Sequence, residues 1–278
     1  MIALDPGAAG AFLRRLGPAL DRVFGRPGVI VAVSAHTTAR APVLLGASRH
    51  EAVHDFGNFD PRLFEMRYDA PGAPQWVERV DAALRSAGVS AHTSADGGLD
   101  HGLWTVLRYL YPDADVPVLP LAFAPGQSPA EQFALGAALA PLARDGAWIL
   151  GSGSITHNLR RALAGGLRAP PNQPEIEPCA AFRAWMAERS AARDWSALLE
   201  YRHRAPYAQD MHPTDEHLLP WYVAAGAGGT GAAPVRLHAS VTLGSLGMDA
   251  YAFGASAAAL MADLALPIGA AQEHACGT

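Results

Sequence analysis

The residues best suited to chemistry in this sequence are histidines that stand beside regular elements. Six of the eleven histidines lie in short polar or glycine-containing segments next to a predicted helix or strand: His36, His54, His101, His157, His212 and His217. Imidazole is the commonest neutral metal ligand in proteins and suits iron, zinc, copper and nickel. It is also the commonest general acid or base. Spacing alone leaves both readings open, a metal site or satisfied polar residues at element ends.

Other catalytic signatures are absent from the sequence. It contains no HExxH, GxSxG, Walker or GxGxxG motif, so hydrolase triads, P-loop enzymes and dinucleotide enzymes have no support. All 21 basic residues are arginines, and they are scattered in a chain of net charge −5, which argues against a nucleic-acid partner. Cys179 and Cys276 lie far apart, and no run of 18 apolar residues or signal pattern is present. We therefore predict a cytoplasmic protein with no membrane partner.

Two apolar runs are each followed, a few residues later, by a histidine. Residues 29–33 run without polar alternation into Ser34-Ala35-His36, and residues 147–151 run into a turn of small residues that ends at His157. Continuous apolar runs are typical of strands buried on both faces of a parallel sheet. Ligands bind beyond the carboxyl ends of such strands. Both histidines are therefore placed where a site would form.

The elements around these strands alternate between helix and strand. Asp100 is predicted to cap the helix that begins at His101. The segment Ser128-Pro129-Ala130-Glu131 is a capping box that starts another helix. Further helices are predicted at 6–24, 74–87, 101–109, 128–143, 176–190, 194–200, 213–226 (with His217 in its second turn) and 255–264, and further strands at 42–45, 89–92, 116–123, 235–241 and 245–253. This order predicts one α/β domain with a central, mostly parallel or mixed sheet flanked by helices.

Six segments taken together resemble one family. They are VSAHT at His36, HDFGNFDPRLFEMRYDAPG from His54, LDHGLWTVLRYLYPDADVPV at His101, ILGSGSITHNLR at His157, HPTDEHLLP at His217 and GSLGMDAYAFG near residue 250. In this order they resemble the LigB-like class III extradiol ring-cleavage dioxygenases of the 4,5-DOPA dioxygenase type. The resemblance implies a LigB-like catalytic domain over residues 1–254 and leaves 255–278 as a C-terminal tail.

The resemblance also implies a site and a reaction. His36 and His217 would be ligands of a non-haem Fe²⁺, a position that Zn²⁺ can occupy without supporting the redox chemistry. His157 would be the acid/base residue that deprotonates a catechol, with a pKa near the working pH, and His101 would lie in the substrate pocket. His54 and His212 would form part of the pocket wall. The substrates would be a catechol and O₂, the product a ring-opened semialdehyde acid, and the protein a monomer or homodimer.

The sequence departs from the family pattern at its start. The family begins with a strand ending in SHGSP, whose histidine is the third metal ligand, and here Met1 aligns with the residue after that motif. Three interpretations stay open: a natural start upstream of Met1, a truncated or degenerate homologue that binds metal weakly, or a ligand supplied by Asp5, Glu216 or His54. With two histidine ligands, the printed chain is expected to be weakly active or inactive. Iron content and catechol-dependent O₂ uptake, with and without an upstream extension, test this expectation.

Two other functions remain open at the level of sequence. The same fold family includes Memo-type members that act as interaction proteins, and a vestigial metal pocket with intact walls would suit such a role. A binding module has no need of an acid/base histidine, however, and His101 and His157 are both present. The second alternative is hydrolysis by a zinc-bound water. It lacks a carboxylate base with a clear position.

Overall fold

The computed structural model describes residues 3–4, 6–57, 59–164 and 170–266. Its strands are β1 Val29–Ser34, β2 Val43–Leu45, β3 Arg49–His50, β4 Ala70–Pro71, β5 His92–Ser94, β6 Val118–Ala122, β7 Ala147–Ser152, β8 Val235–His238, β9 Val241–Thr242, β10 Leu246–Gly247 and β11 Ala250–Ala252. Its α-helices are α1 Gly7–Phe24, α2 Pro74–Ser86, α3 His101–Leu110, α4 Pro129–Leu139, α5 Leu159–Ala162, α6 Glu177–Ala191, α7 Trp195–Leu199, α8 Tyr201–Arg204, α9 Ala208–Met211, α10 Leu219–Gly228 and α11 Ala257–Leu264. Residues Pro61–Glu65 and Ala140–Asp145 form 3₁₀ helices.

A five-stranded sheet in the order β5-β2-β6-β1-β7 forms the centre of the fold. β1 pairs in parallel with both β6 and β7, β2 pairs in parallel with β5, and β2 and β6 are antiparallel. The predicted α/β domain with a mixed, mostly parallel sheet is therefore confirmed. The carboxyl ends of β1 and β7 lie side by side, since Ser34 is in register with Ser152.

Every residue of β1 is buried, as its unbroken apolar run predicted. Val29, Val31 and Val33 face one core cluster, which includes side chains of α2, α4 and α10. Ile30 and Ala32 face the other cluster, which includes side chains of α1, α3 and α11. Helices therefore cover both faces of the sheet, and the strand that leads to His36 is fixed from both sides.

β7 differs from its predicted environment. Its apolar run predicted a buried strand, but its four central residues are only partly buried, because β7 is the edge strand of the sheet. Its outer edge borders a cavity of about 690 Å³ that extends to Ser154 and His217. Since β1 is paired on both sides, a further strand could join the sheet only at the outer edge of β7 or of β5. The first strand expected from the family resemblance stays a prediction.

Three other element bounds differ from the sequence predictions. The strand predicted at 89–92 begins only at His92, as β5. The chain is not yet extended at Val89, because the Val89 amide still donates to the Leu84 carbonyl at the end of α2. α4 ends at Leu139 and continues as a 3₁₀ helix, since Pro141 has no amide hydrogen for the α-helical pattern. The two long strands predicted after residue 234 are instead the short strands β8 to β11, which form two separate hairpin-like pairs.

Parts of two predicted regions lie outside the described residues, namely Asp5 and residues 267–278 of the C-terminal tail. Of that tail, the described part forms α11, whose Asp263 pairs with Arg22 of α1. No helix in the described part of the chain combines the length and apolarity needed to cross a bilayer.

Candidate metal centre

Asp100 joins the end of β1 to the start of α3. Its carboxylate caps α3 by accepting from the Leu103 amide at 3.2 Å, as the sequence predicted. The same carboxylate accepts from the Ser34 hydroxyl at 2.7 Å and from the Thr37 hydroxyl. The strand exit and the helix N-terminus are thus held by one buried side chain. As a result, the rings of His36 and His101 lie 4.0 Å apart between centroids.

The exit of β7 is held against the segment that carries His217. The Ser154 amide donates to the His217 carbonyl at 2.8 Å, and the His157 amide donates to the Met211 carbonyl at 2.9 Å. Gly153 makes this approach possible, because a Cβ atom there would lie 2.1 Å from the His217 carbonyl oxygen. Backbone contacts therefore fix His157 and His217 relative to each other.

Four imidazoles form a continuous row at this edge of the sheet. His101 lies beside His36, and the Nε2 atoms of His36 and His217 are 3.3 Å apart. The ring of His157 stacks on that of His217, with centroids 3.4 Å apart and an interplanar angle of 8°. The structure thus brings together four of the six histidines selected from the sequence.

His217 does not lie in the second turn of a helix, as the sequence predicted. Residues 213–218 form turns, and α10 begins at Leu219 with Pro220 in its first turn. Asp215 was expected in the first turn of that helix, but its carboxylate accepts from the Tyr201 hydroxyl at 2.5 Å and from Arg202. The turn places His217 outside the regular helix, next to the exit of β7.

Two carboxylates lie on the Nδ1 sides of the facing histidines. Glu216 Oε1 is 3.2 Å from His217 Nδ1, and Asp55 Oδ2 is 3.7 Å from His36 Nδ1. A carboxylate within hydrogen-bond distance of Nδ1 fixes the proton there and leaves the lone pair on Nε2, as Glu216 does for His217. The contact of Asp55 with His36 is longer than a hydrogen bond. The Nε2 atom of His217, which lies 3.3 Å from that of His36, is therefore set up as a ligand.

Burial and neighbouring imidazoles lower the pKa of two histidines of the site, His36 and His157. Burial, together with the neighbouring His101 and His217, lowers the pKa of His36 to about 4. Burial, together with His217, lowers the pKa of His157 to about 3. This pKa lies below neutral pH in the metal-free protein, and the expectation that it lies near the working pH in the loaded site stays a prediction. The hydrogen bond with His217 lowers the pKa of Glu216 to about 2, so this carboxylate is charged.

The arrangement fits a divalent metal ion. Two nitrogens bonded to one ion at roughly 2.1 Å lie about 3.0–3.4 Å apart at angles between a right angle and the tetrahedral angle. The 3.3 Å separation of the His36 and His217 Nε2 atoms falls in this range. Both side chains also remain reachable from solvent, with exposures of 29% and 11%. Neutral imidazoles of this kind accept Fe²⁺ as well as Zn²⁺.

An aromatic wall stands beside His101. Phe56 contacts the His101 ring edge-to-face at 5.6 Å and also packs on Phe64 and Trp104. His54 belongs to this wall, with its Nε2 atom 3.1 Å from the Met66 carbonyl oxygen. The half-exposed faces of Phe59 and Phe64 offer contact area for a planar aromatic ligand.

His212 does not belong to the pocket wall. Its side chain is completely buried, its Nε2 atom lies 2.8 Å from the Ile155 carbonyl oxygen, and its ring packs on Phe182 and Tyr201. Burial lowers the pKa of this imidazole to about 4. His212 therefore links the segment before His217 to the exit of β7 from inside the core.

The side chains considered for a third ligand are engaged elsewhere or lie outside the described residues. Glu216 contacts the Nδ1 atom of His217, His54 contacts a carbonyl oxygen, and Asp5 is not described. Sequence reasoning did not select Asp55, although Asp55 follows His54 directly. In the described part of the chain, the donor atoms of His36, Asp55 and His101 lie within 4.8 Å of one another, as a metal-binding group would.

Comparisons with known proteins show the family to which this chain is similar. Residues 8–254 match the family model of the catalytic LigB subunit of aromatic ring-opening dioxygenase. A 4,5-DOPA dioxygenase extradiol of Beta vulgaris is 32% identical over 236 residues, which cover 84% of this chain and 85% of the relative. A protein of the same name from Escherichia coli K12 is 32% identical over 241 residues, with coverages of 84% and 85%. The crystal structure of an uncharacterised E. coli K12 protein superposes with a TM-score of 0.70 at 26% identity, covering 86% of this chain and 91% of that one.

Proposed function

Because this chain belongs to the LigB family of aromatic ring-opening dioxygenases, we propose that it opens a catechol-type ring with O₂ at an Fe²⁺ ion held by His36 and His217. One observation carries the proposal: the Nε2 atoms of these two histidines lie 3.3 Å apart. Bound Fe²⁺ would supply the redox chemistry and hold catechol oxygens and O₂ at neighbouring positions, whereas Zn²⁺ cannot change its redox state.

His157 is the proposed acid/base residue. A neutral imidazole in this place can accept a proton from a catechol hydroxyl. Its stacking on His217 keeps it beside the proposed metal ligands. The His157 amide donates to the Met211 carbonyl, and the Ser154 amide donates to the His217 carbonyl. These two backbone hydrogen bonds limit the movement of His157 relative to His217.

His101 and the aromatic wall are the proposed substrate contacts. His101 starts α3 and lies against His36 on one side and Phe56 on the other. An imidazole in this place can donate to a substrate oxygen, while the flat side chains of the wall exclude water from the ring. The proposed substrate class is therefore a catechol whose ring lies along the phenylalanines.

The test is an O₂-uptake assay on protein loaded anaerobically with Fe²⁺, with catechol and DOPA as probes. We expect iron-dependent uptake of one O₂ per ring opened, at a low rate, and a coloured semialdehyde product. The His157→Gln variant should lower the rate about 10²–10⁴-fold. The matched control is His203→Gln, which changes an exposed histidine of α8 and should keep the wild-type rate.

Other outcomes would contradict the proposal in distinct ways. If the iron-loaded protein binds a catechol without consuming O₂, and an upstream extension does not restore uptake, the Memo-type binding role gains support instead. Hydrolytic activity that requires Zn²⁺ and not Fe²⁺ would favour the zinc-hydrolase alternative. Equal rates in the wild type and in His217→Gln would refute the proposed ligand pair.

A further inference from the structure

We propose that Asp55 is a positioning residue that orients the His101 imidazole through Nδ1, which keeps Nε2 of His101 free for the site, and that it places its charge beside His36. This inference rests on the metal site of the proposed function. It adds a residue that contacts both the proposed ligand His36 and the proposed substrate contact His101.

The contacts of Asp55 are divided between the two histidines. Oδ1 accepts from the His101 backbone amide and lies 2.9 Å from His101 Nδ1. Oδ2 lies 3.7 Å from His36 Nδ1. Among the described residues, no arginine forms an ion pair with this carboxylate. Its charge is therefore directed at the two histidines, and at 2.9 Å it holds the ring proton of His101 on Nδ1.

The loop around Asp55 is fixed on both sides. His54 contacts the Met66 carbonyl oxygen, and Phe56 packs on Trp104 and His101. The carboxylate also meets the N-terminus of α3, where the helix dipole favours a negative charge. A carboxylate held in this way can restrain the ring that donates to it.

Asp55 and Asp100 have separate tasks. Asp100 accepts from two hydroxyls and one amide, which joins the backbones of β1 and α3. Asp55 instead meets ring nitrogens. On the other side of the site, Glu216 repeats the contact at Nδ1 of His217. Each of the two histidines whose Nε2 atoms meet therefore has its own carboxylate behind it.

The rival interpretation makes Asp55 a metal ligand, because His36, Asp55 and His101 together have the composition of a two-histidine, one-carboxylate site. A metal ion there would have to replace the 2.9 Å contact between Asp55 and His101 Nδ1. It would also leave unused the two Nε2 atoms that face each other. The positions of these nitrogens favour the orienting role.

The experiment compares Asp55→Asn with Asp60→Asn, a matched control in the same loop. Asp60 caps the 3₁₀ helix and pairs with Arg62, so its loss perturbs the loop and leaves the histidine contacts in place. Two quantities are measured: Zn²⁺ and Co²⁺ affinity against a competing chelator, and the tautomers of the histidine rings by ¹⁵N NMR of the metal-free protein.

We expect Asp55→Asn to weaken metal binding about 10–100-fold and to move the His101 tautomer away from Nδ1–H. Asp60→Asn should match the wild type in both. An unchanged His101 tautomer in Asp55→Asn would overturn the proposal, and this readout needs neither metal nor activity. Loss of all metal binding in Asp55→Asn, together with wild-type affinity in His217→Gln, would make Asp55 the ligand. Failure of O₂ uptake with the expected tautomer shift would count against the proposed function alone.

Discussion

The buried imidazole of His212 predicts a specific loss of stability in acid. In the folded protein its pKa is lowered from 6.5 to about 4 by burial, while in the unfolded chain it keeps its ordinary value. Between these two values the unfolded chain binds a proton that the folded protein does not. The free energy of unfolding therefore falls as the pH drops from about 6.5 to about 4, and this contribution is constant above and below that window.

The size of the effect follows from the shift of the pKa. One unit corresponds to about 1.4 kcal/mol, so a shift from 6.5 to about 4 costs roughly 3 kcal/mol by the acid end of the window. The steepest slope is about 1.4 kcal/mol per pH unit. His36 and His157 add losses of the same sign, because their pKa values are lowered as well.

The variant His212→Gln separates this histidine from the others. A glutamine amide can replace Nε2 as donor to the Ile155 carbonyl, and it does not titrate. It also removes the buried Nδ1 atom, which has no hydrogen-bond partner among the described residues. We expect the variant to lose about 3 kcal/mol less than the wild type between pH 7 and pH 4.

The assay is urea unfolding at a series of pH values, with His203→Gln as the control because His203 is exposed. The control should follow the wild-type curve throughout. Parallel curves for the wild type and His212→Gln would refute the reasoning, because the His212 imidazole would then be protonated in the folded and unfolded states alike.

Two further outcomes follow from close packing and from buried charge. Gly153→Ala should weaken Zn²⁺ binding at least about tenfold, because its Cβ would lie 2.1 Å from the His217 carbonyl oxygen and displace a proposed ligand. The control is Gly126→Ala, since nothing lies within 4 Å of a Cβ atom at that position. Equal Zn²⁺ affinities of the two variants in a chelator titration would contradict this prediction. Arg183→Met should cost about 3 kcal/mol in urea unfolding, because it removes the 2.6 Å partner of the fully buried Asp249. The loss stays at the lower end because Arg236 remains 2.7 Å from Asp249, and a cost as small as that of Arg85→Gln in an exposed pair would refute the argument.

The central strand and the caps could be predicted from the sequence because their causes are local. The apolar run of residues 29–33 specifies a strand with two covered faces, and Asp100 and Ser128 specify helix starts through their own backbone contacts. The placement of His36 and His157 at the same edge of the sheet also follows from a general rule, since parallel strands end at the same edge. These features depend on few residues or on topology alone.

The features that could not be predicted depend on contacts between distant segments. An apolar run does not reveal how many strands flank it, so the half-exposed edge position of β7 was not foreseen. Asp215 looks like a helix-start residue, but Tyr201 and Arg202 engage it in a turn. The burial of His212 depends on Phe182, which is 30 positions earlier in the chain. Asp55 becomes informative only when the loop brings it to His101, 46 residues away.

The row of imidazoles shows how the site depends on backbone packing as much as on the histidines themselves. His36 and His101 are joined through Asp100, and His157 and His217 through amide contacts made at Gly153 and Ser154. Each pair is rigid within itself, and the two pairs meet where β1 and β7 end in register at Ser34 and Ser152. The 3.3 Å approach of the Nε2 atoms is therefore set by the pairing of two strands. A substitution that shifts this register would separate the proposed ligands without altering any of the histidines.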